Sequence, residues 1–245
     1  MLYSEYDNDH FFAQYAQMGR SRGGLDAAGE WHQLKPLFPD LKGKAFLDLG
    51  CGYGWHCAYA RQQGAAEILG IDLSEKMLAQ ARRRNPGPPI TYRRCAIQEY
   101  EYPESKWDCV VSNLALHYIS DLEDIFQKVH RTLTPGGIFL LNIEHPVFTA
   151  GVNQDWLYDK DGRIRCWPVD DYFLPGQRQT QFLGCPVLKY HHTLTQILMG
   201  LIRSGFTLEA VEEAQPSEDM LSLPGMADEL RRPMMLLVRA QKNAP

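Results

Sequence analysis

Long apolar stretches are missing from this 245-residue chain. No run of about eighteen apolar residues occurs, so the sequence has no segment of the length that a membrane-spanning helix needs. The first residues, MLYSEYDNDHFFAQ, are acidic and aromatic, whereas a secretory signal starts with a basic segment followed by an apolar one. The sequence therefore predicts a cytoplasmic protein that does not associate with a membrane.

An excess of basic residues is missing as well. The chain has 25 Lys and Arg against 30 Asp and Glu, and its formal net charge is -5. A protein that grips nucleic acid needs a basic surface to neutralise phosphates, and this composition argues against one. The predicted partner is a small molecule and not a nucleic acid, and the composition leaves the oligomeric state open.

The C-x-x-C spacing of a zinc or redox site is also absent. We interpret the scattered cysteines as reduced residues that pack in the core. They are Cys51, Cys57, Cys95, Cys109, Cys166 and Cys185. Because no cluster of His, Cys and Asp has the spacing of metal ligands, the sequence predicts no metal.

Between residues 45 and 143, short apolar runs alternate with helical stretches. This alternation is typical of an α/β fold in which helices cover both faces of a parallel sheet. The strand candidates are residues 45–49, 67–71, 90–95, 108–112 and 138–143. Helices are predicted at 53–63 and at 74–84, the second with Ser74 as N-cap. A third helix should start at Ser120 with Glu123 as its capping-box partner, and Pro135-Gly136-Gly137 should form the turn before strand five.

After strand five the alternation stops. Residues 145–190 are rich in aromatics and contain a turn signal, Asp159-Lys160-Asp161-Gly162, which predicts a hairpin between residues 156–158 and 163–167. A helix at 193–204 and two further strands at 206–214 and 234–240 should complete the sheet. Near the N-terminus, Phe11, Phe12, Tyr15 and Met18 recur at helical spacing and predict helices packed over the core.

The segment FLDLGCGYG, residues 46–54, is an apolar strand that ends in a turn with glycine at every second position and leads into a helix. Glycine permits unusual dihedral angles and lets backbone N–H groups approach a ligand closely. The ligand-binding candidates here are Asp48, Gly50, Cys51, Gly52 and Gly54. A nicotinamide dinucleotide site would need a third glycine at the position of Trp55, so this alternative is disfavoured.

An acidic residue, Asp72, lies at the end of the second strand. In a nucleoside-binding doubly wound fold, a carboxylate at this place can accept both ribose hydroxyls. The alternative role, a helix cap, is already filled by Ser74. Asp72 is therefore predicted to bind a ribose.

These segments resemble the motifs of class I S-adenosylmethionine-dependent methyltransferases. FLDLGCGYG resembles the first motif, IDLSEKML the second, and residues 105–141 resemble the stretch that holds strands four and five. The resemblance implies a Rossmann-like, doubly wound, seven-stranded sheet of order 3-2-1-4-5-7-6 with strand 7 antiparallel. It also implies S-adenosyl-L-methionine as cofactor, with the glycine loop beside its methionine part and Asp72 on its ribose.

The same resemblance implies further cofactor contacts. Leu73 and Met77 would border the adenine, and Asn113 and Leu114 would line the methionine side. Family members place an acidic residue at the end of strand three for the adenine amino group, but this chain reads Arg94-Cys95-Ala96-Ile97-Gln98. Adenine recognition therefore falls to the backbone of Ala96 and Ile97 or to Gln98. Tyr15 and Arg20 are candidates for the cofactor's carboxylate, with packing and surface roles as the alternatives.

A chain of 245 residues can bury one sizeable core, and this length predicts a single α/β domain with an elaborated cap. We divide it into a helical cap (1–42), a cofactor-binding core (43–144), a substrate-lid insertion (145–190) and a C-terminal helix with edge strands (191–245). The predicted reaction is in-line transfer of a methyl group to O, N or C of a small acceptor, which the aromatic insertion suggests is flat or apolar. The alternative is a regulatory protein that binds the cofactor without turnover.

A general base would assist transfer to a hydroxyl or phenol, and histidine has a suitable pKa. His145 follows strand five and His192 ends the insertion, and ligands of open α/β sheets bind beyond the carboxyl ends of the strands. These two histidines are the catalytic candidates, with the alternative that neither acts. His117 is interpreted as structural or as lining the cofactor, with catalysis as the alternative.

Overall fold

A seven-stranded sheet lies at the centre of the structure, a computed structural model that describes residues 4–151 and 153–243. Its strands are β1 (Ala45–Leu49), β2 (Glu67–Asp72), β3 (Ile90–Arg94), β4 (Trp107–Asn113), β5 (Leu133–Glu144), β6 (Phe206–Glu213) and β7 (Met235–Lys242). The spatial order is 3-2-1-4-5-7-6, and β7 pairs antiparallel with both β5 and β6. The predicted fold class and strand order are confirmed.

Helices flank this sheet. They are α1 (Asp9–Tyr15), α2 (Gly19–Gly23), α3 (Trp31–Leu34), α4 (Trp55–Gln62), α5 (Glu75–Arg84), α6 (Leu122–Thr132), α7 (Pro146–Ala150) and α8 (Leu194–Arg203). Ser74 caps α5 as predicted, because its side chain accepts from the N–H of Met77 at 3.2 Å. Within the two described ranges, no helix is long and apolar enough to cross a membrane.

Two predicted boundaries were wrong. Helix α6 is capped by Asp121, which accepts from the N–H of Asp124 at 3.0 Å, and not by Ser120 with Glu123. Aspartate and serine are both good N-caps. With Asp121 as the cap, Leu122 and Ile125 of α6 are buried in the core. Residues 135–137 lie inside β5 and not in a turn before it, although the pairing of β4 with β5 shifts register there.

The insertion after β5 contains two hairpins. The first pairs Leu157–Tyr158 with Ile164–Cys166, as predicted, and its turn is held by Asp159, whose Oδ1 accepts from two backbone N–H groups. The second hairpin, Gly176–Phe182 with Cys185–His191, was not predicted. Its two-residue turn is Leu183-Gly184, both with positive φ, and leucine at such a position gives no turn signal in the sequence.

The core lies on both faces of the sheet. One face packs against α6 and α8 through Phe126, Phe139 and Leu201, and the other packs against α3 and α4 through Trp31 and Cys57. All six cysteines are free thiols. Cys51, Cys57 and Cys109 are buried and have the predicted packing role, whereas Cys166 is exposed and does not.

Helix α8 offers a test of local stability. Its capping box joins the Thr193 hydroxyl to the N–H of Gln196 at 3.2 Å, and the Gln196 side chain to the N–H of Thr193 at 2.9 Å. We expect Thr193→Ala to lower the free energy of unfolding by about 1 kcal/mol, measured by urea denaturation. Thr195→Ala, an exposed position on the same helix, is the matched control. Equal effects of both variants would contradict a capping role.

Candidate functional site

The glycine loop follows β1 at the carboxyl edge of the sheet. Gly50, Gly52 and Gly54 all have positive φ, at 78°, 53° and 74°. A Cβ added at Gly50 would lie 2.5 Å from the Cβ of Ala115, and one at Gly54 would overlap the Tyr92 ring. A Cβ at Gly52 would meet only the terminal methyl of Met77, at 3.4 Å, among described residues within 4 Å. Gly50 and Gly54 are therefore required by packing, while the space beside Gly52 is a cradle that a side chain would fill.

Asp72 ends β2 and faces this loop. Its Oδ2 accepts from the N–H of Gly52 and its Oδ1 from the N–H of Ser74, both at 2.8 Å. Burial raises the pKa of Asp72 to about 6, with these two hydrogen bonds opposing the rise. At pH 7 the group is mostly an ionised carboxylate whose position is fixed by the backbone of two loops. Such a carboxylate can accept from vicinal hydroxyls of a ribose.

Asp48, inside β1, is 1% exposed. Its Oδ2 accepts a weak bond from the Cys57 thiol at 3.5 Å, and its Oδ1 has no hydrogen-bond partner among the described residues. Burial raises the pKa of this carboxyl to about 7. An unpartnered buried oxygen of this kind is costly unless a further group pairs with it.

The segment after β4 closes the other side of the loop. Asn113 Oδ1 accepts from the Asn142 side chain at 2.8 Å, and the N–H of Leu114 donates to the Asn142 carbonyl at 2.8 Å. Leu114 has a φ of 54°, a conformation that a leucine adopts rarely and that occurs often at functional sites. The strained turn carries Ala115 onto Gly50.

The predicted adenine side is built from two segments. Met77 is buried with its methyl end beside Gly52, and Leu73 is half-buried at the start of the α5 turn. Ala96 and Ile97 are buried after β3. The Ile97 carbonyl accepts from the Tyr102 hydroxyl at 2.9 Å, whereas its N–H is at the first position of a 3-10 helix and has no acceptor within that helix.

N-terminal residues lie over this edge. Tyr6 packs edge-on against Tyr15, with ring centroids 5.3 Å apart, and its hydroxyl is 3.1 Å from that of Tyr118. Arg20 pairs with the buried Glu30 through one nitrogen, Nη2, which lies 2.6 Å from both carboxylate oxygens. The predicted contact of Tyr15 and Arg20 with a cofactor carboxylate stays a prediction.

The two catalytic candidates are buried and hydrogen-bonded within the protein. His145 caps α7, its Nδ1 accepts from the N–H of Val147 at 3.0 Å, and its Nε2 is 3.1 Å from Glu213. His192 Nε2 is 2.9 Å from the carbonyl of Ile119. Burial lowers the pKa of both imidazoles. Catalysis by either histidine stays a prediction, since these contacts also suit a structural role.

A buried polar cluster lies near these histidines, and sequence reasoning missed it. Glu144, at the end of β5, accepts from Lys189 of the second hairpin at 2.5 Å. His117 follows β4, with its Nε2 3.8 Å from Glu144, and Gln154 contacts both Glu144 and Lys189 at 3.4 and 3.3 Å. The signal for Lys189 was its two-residue spacing from His191, because both face inward from one strand.

Part of the aromatic set in the insertion forms a core of its own. Phe148, Trp156 and Trp167 surround the Arg232 guanidinium, at 4.8, 5.2 and 4.5 Å from the ring centroids. Phe173 is 85% exposed, so it lines no enclosed pocket in this conformation. A pocket-lining role for the remaining aromatics stays a prediction.

The fold and the site together define a nucleoside-binding protein of the doubly wound class. A glycine cradle, a fixed carboxylate and a strained turn meet at the carboxyl edge between β1, β2 and β4, where such sheets bind ligands. A carboxylate acceptor in this position suits a ligand with free ribose hydroxyls.

Comparison with known proteins gives the family. A family model for a methyltransferase domain matches residues 47–141. The structure is similar to a proposed S-adenosylmethionine-dependent methyltransferase from Listeria monocytogenes, with 48% identity over 90% of this chain and 99% of that one, and a TM-score of 0.86. An S-adenosylmethionine-dependent methyltransferase from Mesorhizobium loti is 45% identical over 89% of this chain and 100% of its own, with a TM-score of 0.82.

An uncharacterised Haemophilus influenzae protein is 31% identical over 98% of this chain and 97% of its own length. The chain belongs to the class I S-adenosylmethionine-dependent methyltransferases, and its cofactor is S-adenosylmethionine. The predicted family and cofactor are confirmed.

The raised pKa of Asp48 makes stability depend on pH. The folded protein keeps this carboxyl protonated up to about pH 7, whereas the ordinary pKa is 3.8. The folded state therefore holds an extra proton between these values, and stability is lost as the pH rises through them. We expect Asp48→Asn to stabilise the protein relative to wild type by on the order of 2 kcal/mol more at pH 8 than at pH 5.

Urea denaturation at both pH values measures this difference. Asp161→Asn, on the exposed turn of the first hairpin, is the control and should give the same difference from wild type at both. A pH-independent effect of Asp48→Asn would show that the carboxyl is already ionised at pH 5.

Proposed function

We propose that this enzyme transfers a methyl group from S-adenosylmethionine to a small-molecule acceptor. The observation that carries the proposal is that four separate chain segments meet at the carboxyl edge of the sheet, where the acceptor would bind. Tyr6 of the N-terminal segment reaches the hydroxyl of Tyr118, and Lys189 of the second hairpin reaches Glu144 at the end of β5. Buried polar groups brought together from separate segments fit a small molecule better than a polymer.

The cofactor residues have distinct proposed roles. The carboxylate of Asp72 accepts from the ribose hydroxyls, and the cradle beside Gly52 receives the nucleoside next to Met77. Leu73, Ala96 and Ile97 border the adenine, with the free N–H of Ile97 as a donor to a ring nitrogen. The methionine part of the cofactor is held by the residues around the glycine loop and after β4, which are Asp48, Gly50, Cys51, Gly54, Asn113 and Leu114.

When bound, the cofactor supplies an electrophilic methyl group on a sulfonium. This chain's own contribution is to position the acceptor in line and to exclude water, and alignment alone accounts for much of the rate in such reactions. The rings of Tyr6, Tyr15 and Tyr118 lie where they can cover the site. Their aromatic faces can stabilise a nearby positive charge.

Two partial relatives bear on the acceptor. A malonyl-[acyl-carrier protein] O-methyltransferase from Enterobacter lignolyticus and a tRNA U34 carboxymethyltransferase from Hahella chejuensis match 43% and 46% of this chain. Their names describe acceptors of different kinds, and this chain spans 41% and 36% of their lengths. We favour a small acceptor over RNA because the chain's net charge of -5 gives no basic excess to bind phosphates.

Calorimetric titration with S-adenosylmethionine and S-adenosylhomocysteine tests the cofactor site. Asp72→Ala should raise the dissociation constant at least about tenfold, because it removes charge-assisted hydrogen bonds worth roughly 1.5 to 3 kcal/mol each. Asp161→Ala, at an exposed aspartate, should bind like wild type.

Equal affinities for Asp72→Ala and wild type would reject ribose binding by Asp72. Cofactor binding with no methyl release from labelled S-adenosylmethionine, across a panel of small acceptors and transfer RNA, would favour the non-catalytic alternative. Release with transfer RNA alone would overturn the small-acceptor proposal.

A further inference from the structure

His117 is a buried imidazole with one unused nitrogen. The residue is 3% exposed, and its Nδ1 has no hydrogen-bond partner among the described residues. The buried His191 differs, because both of its ring nitrogens have partners. Its Nδ1 is 2.7 Å from the Thr149 hydroxyl and its Nε2 is 2.9 Å from the Tyr172 carbonyl. A histidine that only packs gains nothing from a buried nitrogen without a partner.

The second nitrogen of His117 faces a fixed negative charge. Its Nε2 lies 3.8 Å from Oε1 of Glu144, which in turn accepts from Lys189 at 2.5 Å. Burial raises the pKa of Glu144, but the charge and the hydrogen bond of Lys189 help to hold this pKa below its ordinary value, so the carboxyl is ionised. The carboxylate favours the tautomer that carries its proton on Nε2, which leaves the lone pair on Nδ1.

The imidazole is neutral at physiological pH. Burial lowers its pKa to about 4, and Lys189 acts in the same direction while Glu144 opposes it. The charged and titratable groups around it are Glu144 from β5, Lys189 from the second hairpin and Tyr118 from its own segment. A neutral imidazole with a free lone pair is a proton acceptor.

The location of His117 is next to the cofactor site. It follows the strained turn at Leu114 that carries Ala115 onto Gly50 of the glycine loop. The adjacent Tyr118 has its ring 4.3 Å from the imidazole and its hydroxyl 3.1 Å from Tyr6. His117 thus follows the segment that packs on the cofactor loop and lies beside Tyr118 and Glu144, on the side where the acceptor is proposed to bind.

We propose that His117, positioned by Glu144 and Lys189, accepts a proton from the acceptor, which is therefore a molecule with an ionisable O–H or N–H group. This inference rests on the proposed methyltransferase function. It differs from the sequence-based candidates in its surroundings. Nε2 of His145 also lacks a hydrogen-bond partner among the described residues, but it lies 3.1 Å from Glu213 and its Nδ1 caps a helix, while Nε2 of His192 lies 2.9 Å from a carbonyl.

The proton and electron balance is simple. The acceptor's oxygen or nitrogen forms a bond to the methyl carbon with its own electron pair, and the carbon–sulfur bonding pair stays on sulfur. The acceptor's O–H or N–H bond breaks, its pair remains on the heteroatom, and the proton moves to Nδ1. The imidazolium that results is stabilised by the Glu144 carboxylate, and it later releases the proton to solvent.

Nuclear magnetic resonance of protein labelled with ¹⁵N-histidine tests the proposal without turnover. In the protein loaded with S-adenosylhomocysteine at pH 7, Nδ1 of His117 should be unprotonated and Nε2 protonated. Phenol, which has an O–H, should shift the Nδ1 resonance towards the protonated position. Anisole, its methyl ether, should not, and the exposed His32 should respond to neither.

Each outcome of this experiment supports or overturns the proposed role of His117. A protonated Nδ1, no shift with phenol up to its solubility, or equal shifts with phenol and anisole would overturn the proposal. The His117→Gln variant identifies the resonance by its disappearance, and circular dichroism confirms that the variant folds. Calorimetry with S-adenosylhomocysteine on the same samples separates the proposed function from the proposed role of His117. If the wild-type protein does not bind S-adenosylhomocysteine, the cofactor site itself is rejected.

Turnover with an acceptor found in the panel gives a second readout. His117→Gln should lower kcat by about 100-fold or more with little change in KM, in the range expected for loss of a general base. Glu144→Gln should shift the acidic limb of the pH profile to lower pH, because removal of the carboxylate disfavours the imidazolium. An unchanged pH profile in Glu144→Gln would reject its positioning role, and His32→Gln is the control.

Discussion

The site depends on how the backbone of two loops holds one carboxylate. Asp72 accepts from Gly52 of the first loop and from Ser74 of the second, and these bonds fix the position of the carboxylate relative to the cradle beside Gly52. Gly50 and Cys51 both donate to the Ile71 carbonyl at 2.9 Å, so the loop is tied to β2 twice more. The geometry is preorganised because the backbone, and not flexible side chains, sets it.

Most of the sheet, and the meeting of the glycine loop with Asp72 at its edge, could be predicted from the sequence because they depend on local patterns. Strands in chain order alternate with helices, and each motif residue of the glycine loop lies within a few positions of the next. The strand order came from resemblance to a family, and the structure agrees with it. The predicted start of α6 was wrong because Ser120 and Asp121 are equally good caps, and only tertiary packing distinguishes them.

The acceptor side could not be predicted in the same way. Glu144 and Lys189 are 45 residues apart, and their contact depends on a hairpin whose turn, Leu183-Gly184, lacks the usual turn residues. The two predicted catalytic candidates, His145 and His192, each adjoin a residue or segment of the buried cluster. Lys189 was not singled out, because a lysine in a strand resembles a surface residue.

The same edge of the sheet concentrates groups that disfavour folding. Burial shifts the pKa of Asp48 to about 7, of Asp72 to about 6 and of His117 to about 4, each towards the neutral form. A buried ion pair such as Glu144 with Lys189 contributes little net stability compared with apolar residues of similar size. Several of these costs adjoin the glycine loop and the segment after β4, and apolar packing does not explain them. The proposed ligand binding and proton transfer would account for them, since both require charges and lone pairs that the folded protein leaves partly unpaired.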